Sequence, residues 1–509
     1  MTALYVGFAT TAQGCAQDAA QQKVRLAGVA GAFYPEDPAA LTAMMDGMLA
    51  KVSMPPVEGK ILAVAAPHAG YQYSGPVAAY TYAAVRGHNF TRVVVIAPSH
   101  YEAFDFTSVY DGDGYGTPLG VVPVDKEFVH KLIKMNPSIR LSERGHTPTA
   151  QGAEHALEDQ LPWLQHVLGK FTLVPIVMGD QSYESSRALG VALAKLLQKE
   201  EGAAGQASTG ETLIVASSDL SHFHTYDEAE RIDHATLGAI ESWDYLSMSR
   251  NFSTRVWEAC GGGPIVAAMI AAERMGANQA RVLRYANSGD VTADRSRVVG
   301  YSADIFVKAD VGKEAEAPYS LNEKEKAQLL DLAHKSVESA VQNRFYTPES
   351  TTDSVLNQER GAFVTLKEGG GLRGCIGMTA PTQSLYLTVR DTAMWAALRD
   401  PRFQPVAVSE LSQLQYEISV LSPLRRVGDV REIQVGTHGL LMKNGDREGL
   451  LLPQVPVEQH WDRTTFLQQT CVKAGMPPDC WKDENTDIFS FTAVVFNDAQ
   501  LHAEKAPRN

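Results

Sequence analysis

Three apolar, strand-like runs in the first part of the chain each end in groups that could carry chemistry. The run 61–66 leads into Pro67-His68, the run 92–97 into Pro98-Ser99-His100, and the run 212–216 into Ser217-Ser218-Asp219-Leu220-Ser221-His222. Imidazoles and carboxylates bind metal ions and move protons near neutral pH. In open α/β sheets ligands sit beyond the carboxyl ends of the strands. If these strands lie close together, His68, His100, Asp219 and His222 converge in one crevice. A single histidine after a strand is more often a turn residue. The weight here rests on the repeated context, since a metal needs several convergent donors.

Cys260 is a further candidate. It precedes Gly261-Gly262-Gly263-Pro264, and Pro264 opens an Ala-rich apolar helix. The positive end of a helix lowers a thiol pKa, and a thiolate is a good metal ligand. The plainer reading is a small buried hydrophobe. Glu154-His155-Ala156-Leu157-Glu158 falls at the start of a predicted helix over 154–169, where His155 and Glu158 would share a face. His155 would then serve as an acid or base, and the glutamates would orient imidazoles. His222-Phe223-His224 puts both rings on one face only if the segment is extended, and Asp111-Gly112-Asp113-Gly114 is read as a turn.

Late in the chain, Leu372-Arg373-Gly374-Cys375-Ile376-Gly377 lies on the second strand of a predicted hairpin. Arg373 and Cys375 are two apart, so they point to one face of a regular strand. A guanidinium there would favour thiolate. A half-buried cysteine beside a surface arginine is the competing reading.

These residues need elements to hold them. Strand-type runs at 61–66, 92–97, 171–178, 212–217 and 298–307 alternate with helical stretches at 76–86, 125–135, 154–169, 185–200 and 264–275. The alternation predicts an α/β domain with a mostly parallel sheet covered by helices on both faces. Asp37-Pro38 marks an earlier helix start. The polar stretch 308–320 is a linker, and Asn322-Glu323-Lys324-Glu325 begins a helix with a capping box. Beyond it, strands at 361–367 and 372–378 flank a Gly-rich turn, followed by a helix at 384–398 and a strand at 415–421. That order predicts a smaller α+β domain. The expected organisation is a leader over 1–24, a first domain over 25–307, the linker, a second domain over 321–500 and a tail over 501–509.

The 509 residues allow two or three domains, and 44% hydrophobic with 20% charged residues describes an ordinary globular chain. A net charge of −14 argues against a general nucleic-acid binder. No apolar run reaches the roughly 20 residues of a transmembrane helix. Cys15, Cys260, Cys375, Cys471 and Cys480 are odd in number, widely spaced and free of CxxC pairs, so no disulfide framework is expected and a reducing, cytoplasmic setting fits. The alternative is a membrane-attached lipoprotein anchored through Cys15, suggested by Gly14-Cys15 after a short apolar stretch.

The residues also resemble known families. Val29-Ala30-Gly31-Ala32-Phe33-Tyr34-Pro35, Ala66-Pro67-His68-Ala69-Gly70-Tyr71, Pro98-Ser99-His100, Thr117-Pro118-Leu119-Gly120, Glu154-His155-Ala156-Leu157-Glu158, Ser217-Ser218-Asp219 with His222, and Cys260-Gly261 look in order like the Memo family. The resemblance implies a fold similar to class III extradiol dioxygenases. It also implies a metal held by His68, His100 and Cys260, lined by Asp219 and His222. Iron (Fe2+) is the expected metal and copper the alternative. A thiolate in place of the usual carboxylate puts ordinary ring cleavage in doubt. Leu372 to Gly377, Asp400-Pro401-Arg402-Phe403-Gln404-Pro405, Thr437-His438-Gly439-Leu440 and Leu450-Leu451-Leu452-Pro453-Gln454 look like the AMMECR family, whose Arg-Gly-Cys-Ile-Gly block is the presumed functional surface. Proteins resembling these two are encoded with a radical S-adenosylmethionine protein, which makes such a protein an expected partner.

Two readings follow. One is a metal-dependent redox enzyme with Asp219, His222 and His155 as catalytic groups and Arg373/Cys375 as a second-domain site, acting on a small molecule the sequence does not name. The other is a non-catalytic metal-handling or scaffold protein that docks a partner through its second domain.

Overall fold

The computed structural model describes residues 23–499, apart from 151, 205–210, 310–319, 345, 350, 354 and 380–382. The tail 501–509, residues 1–22 of the expected leader, Cys15 among them, and most of the linker fall outside the described residues. Val24–Arg25 is a short strand paired with Gly114 and Tyr115, so regular structure begins just before residue 25.

The first domain is built on a nine-stranded sheet among the described residues. Its centre is parallel. Lys60–Ala66 pairs with Glu211–Ser217, which pairs with Phe90–Pro98, which pairs with Thr172–Met178. These strands read as nearly unbroken apolar runs because both faces are covered, and their burial is correspondingly continuous. The flanks depart from the expected mostly parallel sheet. Val298–Lys308 runs antiparallel to Lys60–Ala66, Gln279–Asn287 and His222–His224 both pair antiparallel with Val298–Lys308, and Thr107–Val109 runs antiparallel to Thr172–Met178. The sheet is therefore mixed, with a parallel core.

The order explains convergence. The Asp219 strand lies between the His68 strand and the His100 strand, and all three run the same way. Their carboxyl ends share one edge of the sheet. The helix Gly262–Arg274, buried from Gly262 to Ala272, packs under that centre and against the long helix Tyr183–Ala204.

Among the described residues, the second domain holds two four-stranded antiparallel sheets. The hairpin Ala362–Glu368 and Gly371–Met378 forms as expected, with Gly369 and Gly370 at φ +58° and +83° in its turn. The helix Glu323–Val341 starts at Asn322 with the capping box in place. One expectation is corrected: Cys471 and Cys480 form a disulfide, with Cα atoms 5.8 Å apart. The helix Arg463–Lys473 ends on Gly475 (φ +67°), and the chain turns back so that two cysteines distant from any CxxC pattern meet. No helix among the described residues is long and apolar enough to cross a membrane.

The domains touch through paired charges, of which Asp487 is buried. Asp487 of the second domain accepts hydrogen bonds from Arg187, from Arg274 Nη2 at 2.8 Å and from Tyr183 Oη at 3.0 Å. Arg426 Nε donates to Glu273 at 3.0 Å, and Arg250 Nη2 meets both oxygens of Glu448 at 2.6 Å.

Candidate metal centre

His68 sits on the turn after its strand, and the turn is fastened from the neighbouring strand. The amides of His68 and Ala69 donate to Asp219 Oδ1 at 2.9 and 3.3 Å. The ring Nδ1 meets Ser217 Oγ at 2.9 Å, and Ser217 in turn receives Gln160 Nε2 at 2.7 Å. Gln160 also takes the hydroxyl of Tyr82, which stacks on Trp163. A buried polar chain therefore sets the orientation of the His68 ring, in the way outer partners orient metal-binding imidazoles. Burial, reinforced by the charges of His100 and His222, holds the His68 pKa well below the ordinary histidine value, so its ring is neutral at neutral pH.

His100 is held by Glu154. Its amide donates to Oε2 at 2.5 Å, and its Nδ1 lies 2.9 Å from Oε1. Glu154 also accepts the amides of His155 and Ala156. Burial alone would raise the Glu154 pKa, but these contacts outweigh it and bring the value down to about 2. For His100 burial acts to lower the pKa, and the hydrogen bond and charge of Glu154 outweigh it, so the net shift is upward.

His155 stacks on His100 at 4.8 Å and 14° and meets His68 edge-on at 5.5 Å. Burial and the neighbouring His68 and His100 push its pKa down to about 3. The expected helical start is corrected here. Glu154 to Glu158 precede the helix, which runs Gln160–Leu168. His155 and Glu158 consequently share no helix face. Glu158 turns away to bind Arg25, Tyr34 and the amides of Gly28 and Val29. That buried ion pair ties the Gly-rich opening segment beneath the site.

Cys260 lies against Asp219. Its amide donates to Asp219 O at 3.2 Å, and its Sγ accepts from the Asp219 amide at 3.2 Å and lies 3.1 Å from His68 Nε2. The expected dipole-lowered thiolate is corrected. Burial, with the Asp219 charge beside it, pushes the Cys260 thiol well above its ordinary pKa. A thiolate here needs a cation. The glycines that follow are there for close approach: a Cβ on Gly261 would stand 2.1 Å from Ser217 O, and one on Gly263 2.7 Å from Gln181 Cβ. Gln181 pins the turn from both ends, donating to Cys260 O and accepting from the Gly263 amide, each at 2.9 Å.

Among the described residues, two sets of three donors have ligand atoms within 4.8 Å of one another: His68, His100 and His155, and His68, Asp219 and Cys260, so of the expected ligands His68 is grouped with each of the others while His100 and Cys260 share no set. His222 is in neither set. Its Nδ1 lies 2.8 Å from Leu220 O, and its strand is bulged, with Phe223 at φ +65°. His224 pairs instead with Glu258 at 3.0 Å. The loop between Asp219 and His222 is held by Asp233, which accepts the Ser221 amide and the Tyr285 hydroxyl at 2.9 Å each. No role was expected of Gln160, Gln181 or Asp233 from the sequence; Gln160 lies beside the Glu154–Glu158 block that resembles the Memo family, and Gln181 acts through Gly263, 82 residues on.

The donor set fits a metal. The neutral imidazole of His68 offers a free lone pair at Nε2, and Cys260 and Asp219 supply charge that burial penalises without a cation. A separation of 3.1 Å between Sγ and Nε2 suits two ligands of one ion bound at about 2.0–2.3 Å.

In the second domain Cys375 and Arg373 do not work together. Arg373 binds Glu410 through Nε at 2.7 Å and the carbonyl of Gln404. Thr365 Oγ1 donates to Cys375 Sγ at 3.1 Å, and burial raises the thiol pKa. The nearby guanidinium belongs to Arg402, which binds Asp400 and the Cys375 carbonyl.

Comparison with known proteins agrees with this architecture. Residues 25–305 match the Memo-like protein family, and residues 330–496 match AMMECR1. MEMO1 family protein MTH_45 of Methanothermobacter thermautotrophicus is 35% identical over 287 residues, covering 55% of this chain and 99% of its own length. Protein TK0174 of Thermococcus kodakarensis is 44% identical over 181 residues, 33% of this chain and 88% of its own. Among solved structures, the uncharacterized protein PH0010 from Pyrococcus horikoshii is 40% identical, covers 33% of this chain and 89% of its own, and has a TM-score of 0.32. Because the first match takes in more than half of the residues, the chain belongs to the Memo-like protein family and carries an AMMECR1 domain behind its Memo-like one.

Proposed function

We propose that the chain is a metal-dependent redox enzyme of the Memo type, with an extradiol dioxygenase-like first domain. The observation that carries this is the His68 ring, which is grouped with Asp219 and Cys260 and also with His100 and His155, with 3.1 Å between His68 Nε2 and Cys260 Sγ. His68, His100 and Cys260 would hold ferrous iron, or copper as the alternative. Bound there, such an ion supplies one-electron chemistry and a Lewis-acidic position.

The chain's own residues do the rest. The Ser217–Gln160 chain keeps His68 Nδ1 engaged and leaves Nε2 to the cleft. Glu154, ionised down to about pH 2, fixes the His100 ring through Nδ1. Asp219 and His222 stand at the next strand end to orient a small substrate and hand over protons. His155, with its pKa brought down to about 3, is neutral at working pH and is the third candidate catalytic group beside them. The AMMECR1 domain supplies a substrate or partner surface, and a radical S-adenosylmethionine protein is the proposed partner.

The test is oxygen uptake by iron-loaded and copper-loaded protein with an added one-electron reductant. Uptake that disappears in His68→Ala supports an enzyme. Tight metal binding with no uptake in either form points to metal handling instead.

A further inference from the structure

The three expected ligands are supported from different places. His68 and His100 lean on Asp219, Ser217, Gln160 and Glu154, all in the first domain. Cys260 shares Asp219 with them, but its turn is placed differently. It lies between the helix Tyr245–Thr254 and the helix Gly262–Arg274. Each piece of chain that brackets this turn is fastened to the second domain.

The first helix is held at Arg250, whose Nη2 meets Glu448 at 2.6 Å and whose Nη1 donates to Thr379 Oγ1 at 3.4 Å. The approach to the turn is held at Trp257, whose Nε1 donates to Glu359 Oε1 at 3.3 Å. The second helix is held at its far end. There Arg274 Nη2 donates to Asp487 at 2.8 Å, and Glu273 accepts from Arg426 at 3.0 Å. The 13 residues of this helix span about 20 Å. It is buried from Gly262 to Ala272, so it carries a shift at one end to the other as a rod. Gln181 grips the turn through Cys260 O and the Gly263 amide. It stands just before Tyr183, whose hydroxyl donates to Asp487 at 3.0 Å.

The turn needs such support. Gly261, Gly262 and Gly263 follow Cys260, and glycines lose the most backbone freedom when fixed. Holding the flanks in advance removes part of that cost from binding.

We propose that the second domain positions the Cys260 turn, with Glu359, Glu448 and Asp487 as positioning residues that act through Trp257 and the two helices. The consequence for metal rests on the reading of Cys260 as a ligand: docking of the second domain tunes affinity through the sulfur. His68 and His100 keep their places whether or not that domain is docked.

Hydrogen exchange read by mass spectrometry tests this on the full metal-free chain, against a Glu359→Ala/Glu448→Ala double variant whose fold is checked by circular dichroism. The amides of Cys260, Gly261 and Gly263, bonded to Asp219, Ser218 and Gln181, are the reporters. Peptides over 255–263 should exchange about tenfold faster in the variant, while those over 66–71 and 98–102 stay unchanged. Cuprous copper, kept reduced and anaerobic, should bind the variant about tenfold more weakly, as when an outer partner of a ligand is lost. Asp487→Asn, a smaller change at a separate contact, should move the same peptides in the same direction. Equal exchange of 255–263 in all three proteins overturns the proposal. So does faster exchange of all three segments together, which would mean that the first domain is loosened as a whole. If the exchange pattern appears but the unaltered chain binds no copper, the positioning of the turn stands and the metal reading fails.

Discussion

At the scale of single residues, the site is a set of groups whose ordinary pKa values have been pulled apart. Glu154 is the clearest case, charged down to about pH 2 because His100 and three backbone amides lean on it. Glu154→Gln keeps the shape and removes the charge. It should lower metal affinity by about 10–100-fold, as loss of an orienting partner does, and a competition titration against the unaltered chain measures it. Cys375 makes an independent case. Burial raises its pKa and Arg373 is committed to Glu410, so it is a thiol at neutral pH. Its alkylation, followed by peptide mass mapping, should be slower at pH 7 than that of a free cysteine and should climb as pH passes the ordinary thiol range. Alkylation faster than a free thiol would show that an activating group acts on it.

At the scale of elements, the flank of the sheet matters as much as its centre. Asp233 fastens the Asp219–His222 loop only because Gly300 leaves it room; a Cβ on Gly300 would stand 1.9 Å from Asp233 Oδ2. Gly300→Ala should destabilise the first domain by about 1–3 kcal/mol, seen as a lowered thermal midpoint. On the same strand Asp304 is fully buried, with Ser302 as donor to one oxygen and none to the other. Burial pushes its pKa from 3.8 up to about 7. The folded state thus holds a proton that the unfolded chain releases. The stability this contributes is full below about pH 4 and is lost as pH rises to about 7. Asp304→Asn escapes that loss, so it should gain on the unaltered protein between pH 4 and 8, by up to about 4 kcal/mol. Thermal melts across that range check the sign.

The elements also show what was legible in the sequence. The strands ending at His68, His100 and Asp219 were readable because unbroken apolar runs with a Pro or Ser stop are local signals. The hairpin at 362–378 and the cap at Asn322 were readable for the same reason. The Glu154–Glu158 turn was misread as helix because its carboxylates are drawn to partners more than 50 residues away, which outweighs local propensity. The thiol of Cys260 was misjudged because its burial against Asp219 depends on a helix start meeting a strand end. Arg373 found Glu410, 37 positions on, and Cys471 found Cys480 across a turn; neither pairing has a short-range signature.

At the scale of the molecule, Asp487 ties the AMMECR1 domain to the two helices that sit beneath the Cys260 turn. It is nearly buried between Arg187 and Arg274. Asp487→Ala leaves those two guanidinium groups facing each other, and breaking such a pair costs about 3–5 kcal/mol. Calorimetry should then resolve two separate unfolding transitions where the unaltered chain shows closer coupling. A single unchanged transition would mean the domains are joined elsewhere.

The central claim is a metal ion held from His68. Metal analysis by plasma mass spectrometry after loading with ferrous iron or copper and desalting, on the unaltered chain and on His68→Ala side by side, tests it most directly. The account predicts about one ion per chain in the first, the number expected of two donor groups that both need His68, and near-complete loss in the second with circular dichroism unchanged. Equal metal content in the two proteins would contradict it.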